Sequence, residues 1–222
     1  MSADVPVTRL RHNRIELALH HLSPGHGRPL LILHGLGDRA PRQRPAWSTA
    51  WTGPVMGLDF TGHGESTVPR GGGYSSEVLM GDVDAVLAHL GPSTVVGFGL
   101  GAYVALLIAG GRPDLVHGAV LTDGPGLTGG ATQPTSVSVL PPGLTSSGAV
   151  SPPDPWALLD LALDLRPPDY ATAFVRLAVA ASTFDEPLTV VCASSAPWLD
   201  AVRAEPGVAS ETDLASAIAR YR

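Results

Sequence analysis

Apolar and polar positions change period several times along this 222-residue chain, and each change predicts an element. Val5 to Leu22 alternates apolar and polar residues around Arg11-His12-Asn13-Arg14. That period-2 pattern predicts a hairpin turning at His12-Asn13. Pro29 to Leu33 is wholly apolar, as a strand covered on both faces must be, and ends in His34-Gly35-Leu36-Gly37-Asp38. Gly53 to Asp59 predicts a second buried strand, running into the turn Thr61-Gly62-His63-Gly64-Glu65-Ser66. Ser75 to Leu90 places Val78, Leu79, Val83, Val86, Leu87 and Leu90 at helical spacing, with acids on the opposite side. Ser93 to Val96 then predicts a strand, Gly97 to Gly101 a tight turn, Ala102 to Ala109 a helix of mostly small residues, and Val116 to Leu121 a strand ending in Thr122-Asp123. This succession predicts a parallel α/β sheet with right-handed crossovers.

Residues 124–154 break the pattern: two thirds of them are Gly, Pro, Ser or Thr, which predicts a long irregular excursion. Pro155 to Leu165 and Asp169 to Ala181 read as helices, Leu188 to Cys192 as a core strand, and Pro197 to Ala204 as a short helix. Glu211 to Arg220 reads as a closing helix capped by Ser210, with Glu211-Thr212-Asp213 as its acidic first turn.

Composition narrows the function classes. Charged residues make up 15% and hydrophobic residues 44%, which excludes a wholly disordered chain. No run approaches the roughly 18–20 apolar residues of a membrane span. The first residues lack the basic and apolar regions of a secretory leader. The net charge is −6 and no basic face is visible, so nucleic acid is not an expected partner. All 14 basic residues are Arg, which fits a GC-rich bacterial codon usage. A single cysteine, Cys192, excludes an internal disulfide and a Cys-based zinc site, and fits a cytoplasmic protein. It falls in an apolar strand, where a buried, inert thiol is expected. Gly71-Gly72-Gly73 has no lysine in P-loop position, so no nucleotide cofactor is expected.

Three segments in this order and spacing carry a resemblance: His34-Gly35-Leu36-Gly37, Leu58-Asp59-Phe60-Thr61-Gly62-His63-Gly64-Glu65-Ser66, and Gly97-Phe98-Gly99-Leu100-Gly101. Together the chain resembles the α/β-hydrolase fold superfamily. The resemblance implies one domain over 1–222 with a mostly parallel central sheet, flanking helices, and a reduced lid or cap at 124–183. It also implies a nucleophile elbow, Gly-x-Ser-x-Gly, with the nucleophile on a strained turn. Here the middle residue is Gly99, which has no attacking atom and relieves the strain that a positive φ imposes on other residues. The implied catalytic histidine should fall near 205–213, yet all eight histidines lie at or before His117. The usual acid position holds Ala193-Ser194-Ser195-Ala196, and Asp123 is the alternative acid position. Gly99 to Tyr103, with Pro113 to Leu121, also resembles the silent elbow of the N-myc downstream-regulated proteins, regarded as non-catalytic members of the fold.

Three functional readings follow. In the first, the chain has lost its hydrolytic triad and serves as a binding or accessory subunit, with a protein partner on the 124–183 region. In the second, it is a hydrolase or lyase-type enzyme working through Asp123, His34, Asp59, His63, Ser194 or Ser195. The oxyanion-hole-like residues are His34, Gly35, Leu36, Phe98, Gly99 and Leu100. The amides of Leu36 and Leu100 are expected to face a shared carbonyl or carboxylate site, unless the loop is kept only as scaffold. A third reading, a ligand sensor, requires an open apolar cavity. His34, Asp59 and His63 match no recognised ligand spacing, so no metal is expected. His20 and His21 read as surface residues, and Trp47, Trp51, Trp156 and Trp198 either line the lid region or pack.

Overall fold

The computed structural model describes residues 5–130 and 152–222. Among the described residues, eight strands form one sheet in the order β1-β2-β4-β3-β5-β6-β7-β8. They are β1 (Val7–His12), β2 (Ile15–Ser23), β3 (Leu30–Leu33), β4 (Val55–Asp59), β5 (Ser93–Phe98), β6 (Val116–Thr122), β7 (Leu188–Val191) and β8 (Val208–Ser210). Strands β3 to β8 run parallel; β1 and β2 form the antiparallel hairpin at one edge, with β2 antiparallel to β4. The hairpin turn is Asn13-Arg14, one residue later than expected, because Asn13 takes the left-handed conformation (φ 56°) that asparagine tolerates.

Two hydrophobic layers clamp the sheet. One holds the buried faces of α1 (Ser76–Leu90), α2 (Leu100–Gly111), α3 (Pro155–Leu163), α4 (Pro168–Ala181) and α5 (Pro197–Arg203). The other is thinner: Trp51 and the residues Ala217, Ile218 and Tyr221 around α6 (Leu214–Ala219) cover Leu30, Ile32, Val55, Val96 and Val120. Helix α2 is buried from Leu100 through Gly110, which explains its lack of a polar face. The elements expected over 155–181 form, and they belong to the body of the domain. Val175 and Ala178 of α4 lie in the main core, and α4 packs on α2 and α5. Three acids in and around α3 hold the entrance of α1: Asp154 accepts from the Tyr74 hydroxyl at 2.6 Å, Asp160 from the amides of Gly73 and Tyr74, and Asp164 from Ser76. The expected irregular stretch 124–154 lies largely outside the described residues, which stop at Gly130 and resume at Pro152.

Three local expectations change. The final helix starts at Leu214 with Asp213 as its cap, because Ser210 is already paired in β8. Asp82 is buried in α1 although acids were expected on the solvent side. It accepts from the amide and hydroxyl of Thr61 (both 2.8 Å) and pairs with His12 at 2.8 Å, so its desolvation is offset by several partners. His20 is fully buried, not on the surface, and donates from Nε2 to Asp59 at 2.9 Å. His21, half-buried, bonds the Thr8 hydroxyl.

Candidate functional site

The parallel strands β3, β5 and β6 end side by side and deliver His34, Gly99 and Asp123 to one edge of the sheet. Gly99 stands between β5 and α2 with φ 56° and ψ −113°. Close packing also demands glycine there. An added Cβ would overlap the carbonyl oxygen of Pro125 and the carbonyl carbon of Gly124.

That Pro125 oxygen is the centre of the arrangement. It accepts the amide of Leu36 at 2.9 Å and the amide of Leu100 at 2.9 Å. These are the two donors expected to face a bound carbonyl or carboxylate. They do converge on one acceptor, but the acceptor is the chain's own backbone. The neighbouring carbonyls are held as well. The Arg166 guanidinium donates through Nη1 to Gly126 and Leu127, and Trp198 Nε1 donates to Leu127 at 2.8 Å. Arg166 is 1% exposed, stacks over the Tyr103 ring at 5.0 Å, and is lowered by burial to a pKa of about 10. Three successive peptide oxygens, 125 to 127, are therefore pinned over the elbow by donors from four separate parts of the chain.

The histidines near this edge have no ring nitrogen to spare. His34 accepts the Phe60 amide at Nε2 (3.1 Å), so its proton sits on Nδ1, which faces the Gly35 carbonyl at 2.7 Å. Burial, reinforced by the nearby His63, lowers its pKa to about 3. His63 accepts the Gly37 amide at Nε2 (3.3 Å) and turns Nδ1 to the Thr61 carbonyl at 3.2 Å. Burial lowers its pKa too, against the opposing pull of that hydrogen bond. Asp59 is saturated by the amides of Ala40 (2.7 Å) and Glu65 (2.8 Å), by His20 and by Arg42 (3.2 Å). Burial would raise its pKa, but these partners hold it well below the ordinary carboxylate range. Through Ala40 and Arg42 it fastens the loop after β3. Among the described residues no three His, Cys, Asp or Glu side chains converge as a metal set.

Asp123 differs from these. Its carboxylate accepts the amides of Ala193 (2.7 Å) and Ser194 (3.1 Å). Burial alone would raise its pKa, but the hydrogen bonds from Ser194 and Ala193 outweigh it and the group stays ionised. Ser195 donates to Asp200. Cys192 lies just past β7, half-buried, with its thiol on the Leu121 carbonyl and pushed up by burial to about 12.

A cleft of about 310 Å³ opens beside the pinned peptide. His34, Gly35, Phe98 and Asp123 line it, whereas Leu36, Gly99 and Leu100 do not, because Gly124 and Pro125 form the wall between. The loop after β3 supplies Trp47, a wall residue no sequence motif marked, and its ring lies 6.1 Å from that of Phe98 at 44°. Of the other tryptophans, Trp51 and Trp198 are buried and Trp156 packs on the core.

Residues 30–221 match the family model of the alpha/beta hydrolase family. An esterase of Mycobacterium tuberculosis is 35% identical over 99 residues, covering 42% of this chain and 32% of the esterase. An (E)-2-((N-methylformamido)methylene)succinate hydrolase of Acinetobacter baylyi is 28% identical over 120 residues, 52% of this chain and 44% of the hydrolase. The chain thus spans less than half the length of these curated relatives. Among solved structures, a thioesterase domain from the curacin biosynthetic pathway superposes with a TM-score of 0.66 over 97% of this chain and 98% of that one. At 16% identity it speaks for the fold alone. No helix among the described residues is long and apolar enough to cross a membrane.

Proposed function

The chain belongs to the alpha/beta hydrolase family, and we propose that it is a non-catalytic member that binds a small ligand in the cleft beside its elbow. One observation carries this reading. The donors that would polarise a substrate carbonyl are spent on Pro125, directly above a residue without a side chain. An oxyanion site works only when its donors are free for the charge that develops in the reaction. The sequence adds that no histidine follows His117, so no base is supplied from the loop after β8. Removal of one member of a catalytic triad forfeits several orders of magnitude in rate.

A catalytic reading draws support from the esterase and hydrolase named above. It would have to rest on Asp123 and the adjoining Ser194, since Asp59 is saturated, His34 and His63 have both ring nitrogens engaged, and Ser195 donates to Asp200. The accessory-subunit reading places a protein partner on the 124–183 region, where Leu158, Leu163, Tyr170 and Leu177 are exposed.

The test is to assay the wild type and Gly99→Ser against short p-nitrophenyl esters and a fluorophosphonate probe, with circular dichroism to confirm folding. Both proteins are expected to be inert and unlabelled. Hydrolysis by the wild type that disappears in Asp123→Asn would overturn the non-catalytic reading and establish the alternative. Labelling of a folded Gly99→Ser would show that a base exists after all.

A further inference from the structure

The cleft combines aromatic walls with an ionised acid that makes no ion pair among the described residues. Trp47 and Phe98 form one corner, with their ring centroids 6.1 Å apart, and Asp123 lies at the end of β6. The Asp123 carboxylate is fixed in place by the amides of Ala193 and Ser194, but no cationic side chain among the described residues pairs with it. The cation acting on it from outside the cleft wall, Arg203, is engaged with Asp200 and with the carbonyls of Cys192 and Ser194. His34, the other ionisable group on the wall, is neutral. At the rim, Asp38 and Arg39 are adjacent, exposed and of opposite sign. The cleft therefore carries a net negative charge inside a protein of net charge −6. Its volume is near the lower end of the roughly 300–1,000 Å³ of small-molecule pockets.

We propose that this cleft takes a small organic cation, with its ammonium group against Asp123 and its apolar body against the corner made by Trp47 and Phe98. Aromatic faces attract cations through the ring quadrupole, and a carboxylate beside them adds direct charge pairing. A carboxylate ligand would meet Asp123 with like charge, and the amides that could receive it belong to Pro125. The proposal rests on the reading of the cleft as a ligand site, and its test separates the two.

The probes are 2-phenylethylammonium, the neutral 2-phenylethanol and the anionic phenylacetate, titrated by calorimetry into the wild type at low salt. The ammonium ion is expected to bind about tenfold tighter than the alcohol, a difference of about 1.4 kcal/mol, and phenylacetate weakest of all. Asp123→Asn should bring the ammonium ion to the level of the alcohol. Asn retains one acceptor for the 193–194 amides, and circular dichroism checks the fold. Trp47→Leu keeps an apolar wall without the quadrupole, so it should weaken the ammonium ion more than the alcohol. Asp38→Asn, at the rim, should change affinity less than about twofold because solvent screens exposed charges. Alcohol or phenylacetate binding as tightly as the ammonium ion, unaffected by Asp123→Asn, would overturn the cation proposal and leave the ligand site standing. No binding of any probe would overturn both the cation proposal and the cleft as a small-ligand site. The ester assays judge the absence of catalysis independently.

Discussion

Gly99→Ala adds one carbon, and its cost can be worked from the surroundings. At φ 56° the backbone lies where an L side chain is strained by about 1–3 kcal/mol when its neighbours hold it there. The new Cβ also overlaps the Pro125 oxygen and the Gly124 carbonyl carbon, so the 124–125 peptide must shift. Shifting it breaks the two amide bonds from Leu36 and Leu100, each contributing about 0.5–1.5 kcal/mol net. The expected loss is about 2–6 kcal/mol, against a total stability of about 5–15 kcal/mol for a domain. In a chain of this size each ~1 kcal/mol lowers Tm by about 2–4 °C. Urea unfolding followed by circular dichroism measures the loss. Amide hydrogen exchange at Leu36 and Leu100, resolved by NMR, shows whether the peptide has left its seat. A variant within about 0.5 kcal/mol of the wild type, with both amides still protected, would refute the seating of Pro125 over the elbow.

The pinning of the peptide can be loosened from the other side. Arg166→Met removes the donors to the 126 and 127 carbonyls but also a buried cation whose Nε and Nη2 have no partner among the described residues. Exchange at Leu36 and Leu100 should therefore rise about tenfold or more, while the unfolding free energy from urea titration changes by less than about 1 kcal/mol, because relief of desolvation offsets the lost bonds. Tyr74→Phe deletes the donor to the buried Asp154, and a destabilisation of about 1–3 kcal/mol is expected by urea titration. Stability should also fall on acidification. His34, at about 3, and His63 are depressed in the fold, so the unfolded chain binds more protons below its histidine pKa of 6.5. Their contribution is complete above pH 6.5 and is lost as the pH falls towards the folded values. His12, raised chiefly by its hydrogen bond to Asp82, has the opposite sign: it contributes below pH 6.5 and loses that contribution as pH rises through its folded pKa. Urea midpoints measured from pH 8 to pH 4 should decline, and a flat profile would contradict the burial of neutral His34 and His63.

Much of the architecture is legible locally. Alternation over Val7–His12 and Ile15–Ser23 encodes a hairpin, and the apolar run Leu30–Leu33 encodes a strand covered on both faces, because side-chain direction in a strand depends only on parity. The run Gly97 to Gly101 encodes the strand-to-helix turn: Gly99 takes a positive φ, and at Gly97 and Gly101 an added carbon would overlap backbone. Strand β8, of three residues, is too short for periodicity to register, so Ser210 looked like a helix cap.

The remainder depends on partners far apart in the chain. His20 and Asp82 look like surface residues by their polarity, and only Asp59, Thr61 and His12 make their burial affordable. Gly99 by itself signals a missing nucleophile, but nothing in its own segment reveals that Pro125 fills the space above it. The sequence by itself determined the sheet, the elbow turn and the absence of a late histidine, because each is a matter of side-chain type and local spacing. Only the tertiary structure decided that the Leu36 and Leu100 amides are satisfied by Pro125 and that the open space lies beside it, against Trp47, Phe98 and Asp123. A backbone carbonyl is the same in every residue, so which donors it meets is set by packing and leaves no mark in the sequence.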